Sequence, residues 1–415
     1  MRSPRFLLII VVVALLIDLY VFQAIKTVTH GLSPRWKLTV YSLHWGFAVL
    51  AVLCFLAPIF LHFQYTRVYN YLFAIIAGLY IAKLLTVAFL LIDDIRRVIQ
   101  WGIGKLSSRP GGGAVSGGEL SISRSTFLSW LGMGLGTGVY SAILYGFSNK
   151  YNYRIHRVRL AFDNLPAAFK GLKIVQLSDI HTGSLNNLAA VNRGIDMVLA
   201  QKPDLILFTG DVVNNIATEL TADYQAVFSR LKAPMGVFST LGNHDYGDYL
   251  WWETAELKKA NLDRLKQIEK EMGWRLLMNE HVALERGGEQ IALIGIENWS
   301  AKARFPKYGR MDLAYRGAEK YPFKLLMSHD PSHWDAEIRP HYPDIDLMLS
   351  GHTHGMQFGV ELPGFKWSPV QFLYKQWAGL YTQGRQQLYV NRGYGFIGYP
   401  GRFGILPEIT VIELV

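Results

Sequence analysis

The chain has 415 residues, half of them apolar, a formal net charge of +10 and a single cysteine, Cys54. That length exceeds one ordinary core, and one cysteine excludes an intrachain disulfide framework. The charge divides unevenly: residues 1–148 carry 12 Lys/Arg against 4 Asp/Glu, and the remainder 30 against 28, so the basic excess flanks the apolar runs instead of coating a globular surface as a nucleic-acid footprint would.

Four apolar runs meet the roughly 20 residues needed to cross a bilayer: residues 6–25, 38–63, 69–92 and 127–147. Asp18 and Lys83 fall inside the first and third. Those two runs point the same way, and both residues lie about 20 Å along their helices at 1.5 Å per residue, so they are placed to pair. An intramembrane ionisable residue also raises a transport or sensing role. Between the third and fourth runs, "SSRPGGGAVSGGELSISRS" has the Gly/Ser content of a flexible tether. The expected division is a three-helix membrane region at 1–100, a linker at 101–125, a fourth span at 126–148 and a globular domain at 149–415.

Past the fourth run, short apolar strands alternate with helical or loop segments. "LKIVQLSD", "DLILFTGD", "GVFSTLGNHD", "QIALIGIEN", "FKLLMSHD" and "IDLMLSGHTH" each run apolar and then stop at Asp, Asn, His or Gly. Continuous apolar runs suit strands buried on both faces. In open α/β sheets, ligands bind beyond the carboxyl ends of the strands, so the polar clusters are expected along one edge.

The candidates are Asp179 and His181, Asp211 and Asn214, Asn243, His244 and Asp245, His329, and His352 with His354. Carboxylates and imidazoles without thiolates suit divalent transition metals and argue against a structural zinc site. A strand-end aspartate has two oxygens and serves two ions about 3.5–4 Å apart. In "GHTHGMQ", His352 and His354 at spacing two point the same way if the segment is extended, and the flanking glycines permit close approach of the backbone.

The ordered series D-x-H, G-D-x-x-N, G-N-H-D, H and G-H-x-H resembles the calcineurin-like metallophosphoesterases over nearly all of residues 153–415. "FKGLKIVQLSDIHTG" and the closing "NRGYGFIGYPGRFGILPEITVIEL" resemble its membrane-anchored bacterial branch. The resemblance implies a four-layer α/β/β/α sandwich, here preceded by four transmembrane helices, and two divalent metal ions, with Mn, Fe or Zn favoured. It implies that Asp179, His181 and His354 hold the first ion, that Asn243, His329 and His352 hold the second, and that Asp211 bridges them. His244 would act on the phosphoryl group or its leaving oxygen, with Asp245 as its orienting partner. The family usually has G-H-T-H-G-G-Q, so Met356 stands where a glycine is usual.

The implied activity is hydrolysis of a phosphomonoester, phosphodiester or pyrophosphate bond, in an envelope or lipid-linked substrate; a UDP-diacylglucosamine-type lipid pyrophosphate is the alternative. A membrane sensor or transporter with a non-catalytic metal-binding domain is a second class, though a pure binder has no use for His244. The expected partners are membrane lipids and the phosphate ester, without nucleic acid. The aromatic stretch of residues 358–381, with Trp367 and Trp377, is placed either to touch lipid headgroups or to cover the core. "SRSTFLSWLGMGLGTG" resembles a twin-arginine export signal in which Arg124 matches and Ser125 departs. It favours a multi-pass protein of the bacterial inner membrane with an extracytoplasmic catalytic domain, whereas the loop charges are nearly balanced between the two sides.

Overall fold

The computed structural model describes residues 4–60, 67–106 and 124–415. They form two compact units, Met1–Tyr145 and Gly146–Val415.

The first unit is built from α1 (Pro4–Val28), α2 (Pro34–Phe60), α3 (Arg67–Leu106) and α4 (Arg124–Gly146), whose last residue, Gly146, opens the second unit. All four are long and apolar enough to cross a membrane. Asp18 of α1 and Lys83 of α3 are buried and paired at 2.5 Å. The Tyr80 hydroxyl donates to the other Asp18 oxygen at 2.7 Å, and His44 Nε2 of α2 lies 3.2 Å from the Asp18 carbonyl. The sequence ends the third span near Ile92 and begins a linker at residue 101, but α3 continues to Leu106. Asp93 pairs with Arg96 and Arg97 at 2.8 and 2.9 Å. Those i,i+3 and i,i+4 spacings reinforce a helix, so the charges extend it where they read as its end. The rest of the expected tether, residues 107–123, lies outside the described residues.

The second unit contains fourteen strands among its described residues. In chain order they are β1 (Arg154–Leu160), β2 (Lys173–Leu177), β3 (Leu205–Phe208), β4 (Val237–Ser239), β5 (Arg275–Leu276), β6 (Glu280–Arg286), β7 (Glu289–Gly295), β8 (Lys324–Met327), β9 (Leu347–Ser350), β10 (Val360–Leu362), β11 (Phe365–Trp367), β12 (Gly379–Gln383), β13 (Gln386–Val390) and β14 (Glu408–Leu414). One six-stranded sheet has the order β1-β14-β2-β3-β4-β5, a second the order β12-β13-β9-β8-β7-β6, and β10 and β11 form a separate ribbon. The six apolar strands read from the sequence are β2, β3, β4, β7, β8 and β9, six of the eight inner strands of these sheets. β2, β3 and β4 run parallel, as do β7, β8 and β9.

The two-residue period of each strand divides its side chains between layers. Ile174, Leu205 and Leu207 of the first sheet meet Leu293, Leu325, Met327, Leu347 and Leu349 of the second in a central core. Val175, Leu177, Ile206 and Phe208 face outward to join Val191, Ile195 and Val198 of α5 (Leu188–Leu199) and Leu265 and Ile268 of α7 (Ala255–Glu271). Between them in sequence, α6 (Ala222–Phe228) adds Tyr224 and Phe228 to the same layer. Ala292, Ile294, Leu326 and Met348 face the other way, against Met311, Ala314, Trp334 and Ile338. The result is an α/β/β/α sandwich. Asn187 and Thr254 cap α5 and α7, accepting from Ala190 N at 3.0 Å and Leu257 N at 3.3 Å, as N-cap side chains do.

Candidate metal centre

The polar clusters stand in the loops just beyond β2, β3, β4, β8 and β9. Five of their residues share an uncommon backbone: Asp179, His181, Asp211, His352 and His354 all have φ between 51° and 70°. A left-handed conformation costs a residue with a Cβ about 1–2 kcal/mol, and strain of this kind gathers at functional sites. The "GHTH" segment is therefore a left-handed turn and not the extended segment expected, with Thr353 at φ −78° between the two histidines. Neighbouring glycines permit the crowding. A Cβ on Gly351 would stand 2.2 Å from Asp179 Oδ2, and one on Gly242 2.2 Å from Asp211 Oδ1.

The turns bring together two donor groups, Asp179–His181–His354 and Asp211–His329–His352. In the first, His354 Nε2 lies 3.2 Å from Asp179 Oδ1 and 3.1 Å from His181 Nε2. In the second, His329 Nε2 lies 3.1 Å from Asp211 Oδ2 and 3.2 Å from His352 Nδ1. Asp211 Oδ2 also lies 3.6 Å from His181 Nε2, so one carboxylate oxygen faces both groups. Asn243 stands between Gly242 and His244, both of which lie against Asp211. Its Nδ2 donates to the Tyr249 hydroxyl at 2.7 Å, which leaves the buried Oδ1 with no donor among the described residues.

Hydrogen bonds on the far side of the rings select which nitrogen faces inward. His329 Nδ1 donates to the Thr209 carbonyl at 2.7 Å, freeing Nε2. His352 Nε2 is held by the Tyr374 hydroxyl at 2.9 Å with Asp330 Oδ2 at 3.4 Å, freeing Nδ1. Such outer partners orient and tune metal-binding imidazoles. Burial holds His181, His352 and His354 below the ordinary histidine value, and the neutral ring is the ligating form. Burial disfavours the charged form of Asp211 too, but His329 and His244 outweigh it and hold the carboxyl well below the usual range. At His329 burial again acts first and Asp211 overrides it, lifting the imidazole to about 10. A proton there supplies positive charge that a cation would otherwise bring. Convergent imidazoles, two buried carboxylates and an orphaned amide oxygen fit divalent cations.

His244 is half-buried beside these groups. Its backbone N–H donates to Asp211 Oδ1 at 2.8 Å, and its Nδ1 lies 2.7 Å from the Asn214 carbonyl. Asp245 does not orient that ring. Its buried carboxylate accepts from the N–H groups of Asp211, Val212 and Gly242, each at 2.8 Å, and of Val213 at 3.2 Å. A short acidic side chain at this turn satisfies backbone donors on both sides, so Asp245 fixes the Asp211 loop while a backbone carbonyl holds His244. The Asn214 side chain bonds Ser184 instead, its Nδ2 donating at 3.0 Å.

Several supporting residues were not singled out from the sequence. Tyr249, Asp330 and Tyr374 brace Asn243 and His352; Asp330 follows His329 in "SHD" and Tyr374 lies within the aromatic stretch, cues that marked the segments and not these residues. Arg402, fully buried, places Nη2 3.2 Å from His354 Nδ1 and donates to the carbonyls of Arg392 and Gly395 at 2.6 and 2.5 Å. An arginine surrounded by glycines in "YPGRFG" is its one sequence signal. Of the aromatic stretch, Trp377 is core, packed with Val370, Tyr374, Ala378 and Ile405.

A sandwich with two clusters of oxygen and nitrogen donors beyond the carboxyl ends of its strands is the architecture of a metal-dependent hydrolase. Residues 172–356 match the family described as calcineurin-like phosphoesterase, and residues 3–150 match its probable transmembrane domain. The chain is 33% identical to the uncharacterized metallophosphoesterase YkuE of Bacillus subtilis, over 60% of this chain and 81% of that one. It is 30% identical to the phosphodiesterase YaeI of Escherichia coli, over 63% of this chain and 88% of that one. A zebrafish transmembrane protein with a metallophosphoesterase domain is 30% identical over 62% of this chain, and the match spans 56% of that protein's length. The protein belongs to the calcineurin-like metallophosphoesterases.

Proposed function

We propose that this protein hydrolyses a phosphomonoester, phosphodiester or pyrophosphate bond in an envelope or lipid-linked molecule, using two divalent cations. The observation that carries the reading is Asp211 Oδ2, within 3.6 Å of His181 Nε2 and 3.1 Å of His329 Nε2. Asp179, His181 and His354 would hold one ion; Asn243, His329 and His352 would hold the other, with Asp211 shared. Nitrogen and oxygen donors without thiolate favour Mn, Fe or Zn. Bound cations supply Lewis acidity toward phosphoryl oxygens and lower the pKa of water.

The chain's own residues supply the rest. With Nδ1 committed to the Asn214 carbonyl, His244 exchanges its proton at Nε2. That makes it the group to protonate a leaving oxygen or donate to a phosphoryl oxygen as charge develops. Asp245 ties the Asp211 loop to its own through the N–H groups of Asp211, Val212 and Val213 on one side and of Gly242 on the other.

The four apolar helices support an inner-membrane, multi-pass placement in a bacterial cell. The export-signal resemblance at Arg124 supports an extracytoplasmic catalytic unit, with membrane lipids as its neighbours. Hydrolysis of p-nitrophenyl phosphate and its bis ester by the full chain in detergent, with Mn, Fe or Zn added after chelation, tests the activity. Metal-restored turnover of either ester supports it; none on these esters or on a membrane lipid extract refutes it.

A further inference from the structure

The ribbon β10–β11 is turned inside out. Its register pairs Val360 with Trp367, Glu361 with Lys366 and Leu362 with Phe365, so Val360, Leu362, Phe365 and Trp367 share one face and the two charged residues the other. The charged face is fastened to the domain. Glu361 pairs with buried Arg392 at 2.5 Å, Arg392 is tied in turn to Glu408 at 2.6 Å, and Lys366 Nζ bonds the Ala378 carbonyl and, at 3.2 Å, the Tyr381 hydroxyl. The apolar face is left outward, with Leu362 61% and Phe365 57% exposed. The following turn adds Phe372 at 78% and Leu373 at 53%. A sheet with one solvated face normally buries its apolar side and wets its polar side. An apolar patch held outward by buried ion pairs marks an interaction surface.

The chain itself indicates the occupant. Within the second unit, the carbonyl of its first residue, Gly146, at which the last candidate span ends, accepts from Arg402 N at 2.9 Å. The adjoining Phe403 pairs with the segment that leads into the ribbon: its N–H donates to Gln357 O, and its carbonyl accepts from Gly359 N, both at 2.9 Å. The rings of Phe358 and Phe403 stack at 5.4 Å. The residue at which the chain leaves its apolar span is therefore one backbone pairing from the base of the ribbon. At the other end, Leu373 directly precedes Tyr374, which bonds the inward-facing His352. Exposed Lys375 adds a cation beside the patch, and aromatic and aliphatic side chains flanked by lysine suit the lipid interface.

We propose that the outward face of Val360–Trp367, with Phe372 and Leu373, inserts into the interfacial region of a lipid bilayer, so that the metal centre meets phosphate esters carried at the bilayer surface. Insertion is independent of turnover; the substrate class rests on the phosphoesterase reading above.

The test uses the full chain in liposomes with Cys54→Ala and one new cysteine, Leu362→Cys or Phe372→Cys, carrying an environment-sensitive fluorophore. Lys320→Cys, exposed and just ahead of β8, is at the opposite ends of the strands and serves as control. The expected result is blue-shifted emission at 362 and 372, with most of it lost when the lipids carry a nitroxide near the headgroup and little lost at 320. Equal quenching of all three labels by aqueous iodide would overturn the proposal. So would a shift that follows protein density and ignores the lipid nitroxide, since a second copy would then cover the ribbon. Because the readout needs no hydrolysis, a quenched but inactive protein would sink the catalytic reading and leave this one standing.

Discussion

His244 Nδ1 lies 2.7 Å from the carbonyl oxygen of Asn214. A backbone acceptor at that distance fixes the imidazole tautomer and leaves one nitrogen to trade protons. His244→Ala is predicted to lower turnover by about 10²–10⁴-fold, the usual contribution of a positioned acid or base, while metal content stays at the wild-type level. Rate and elemental metal analysis on the same preparation check both halves. Loss of metal alongside rate would place His244 among the ligands instead.

Gly351 has no room for a side chain beside the first donor group. An added Cβ would stand 2.0 Å from Ser178 Oγ and 2.2 Å from Asp179 Oδ2, so Gly351→Ala is predicted to displace Asp179 and weaken metal binding at least about tenfold, the scale seen when a ligand loses its support. Met356 offers the reverse test. It is half-exposed at φ 54°, and Met356→Gly is predicted to stabilise the fold by roughly 1 kcal/mol through relief of the left-handed strain, read as a raised thermal midpoint.

Stability should fall with pH through Glu269. This carboxyl is fully buried and bonded to Ser239 Oγ; burial, with a smaller push from Asp245, lifts it to about 8. Its folded pKa exceeds its unfolded one of 4.5. The stabilisation is therefore complete below about pH 4.5 and is lost as pH rises toward 8, at about 1.4 kcal/mol per unit. Glu269→Gln should match wild type in thermal midpoint near pH 5 and exceed it at pH 8. Parallel curves across that range would refute the assignment.

Within the apolar helices, the Asp18–Lys83 pair at 2.5 Å is predicted to behave as one structural unit. Removing one partner of a buried pair costs about 3–5 kcal/mol, whereas replacing both with apolar groups is often neutral. Asp18→Asn and Lys83→Met alone should each lower the midpoint in detergent, and the double variant should recover most of the loss. Additive losses would argue that the two residues serve separate purposes.

Strands β2, β3, β4, β7, β8 and β9 and the clusters at their ends were legible because each is an unbroken apolar run that stops at polar residues, a pattern local to the sequence. β1, with "RIHRVRL", reads as a charged segment and becomes a strand only by pairing with β14, more than 240 residues away in sequence. The same limit hid Arg402 and Tyr374, whose link to the site exists only after residues far apart in sequence fold back onto His354 and His352. The orienting role given to Asp245 failed for a related reason. The family resemblance implied a contact with His244, but the carboxylate turns to the backbone N–H groups of Gly242 and of the Asp211 loop. In the aromatic stretch, composition could not distinguish Trp377 in the core from Phe372 on the surface, since Trp377 is buried only by packing with Val370, Tyr374, Ala378 and the distant Ile405.

The most direct measurement is metal stoichiometry of the full chain by elemental analysis, for wild type and for Asp211→Ala and Asn243→Ala. A centre sharing Asp211 predicts about two ions per chain in wild type, less than about one in Asp211→Ala and about one in Asn243→Ala. Retention of two ions by Asp211→Ala, or a single ion in wild type, would contradict a shared two-ion centre.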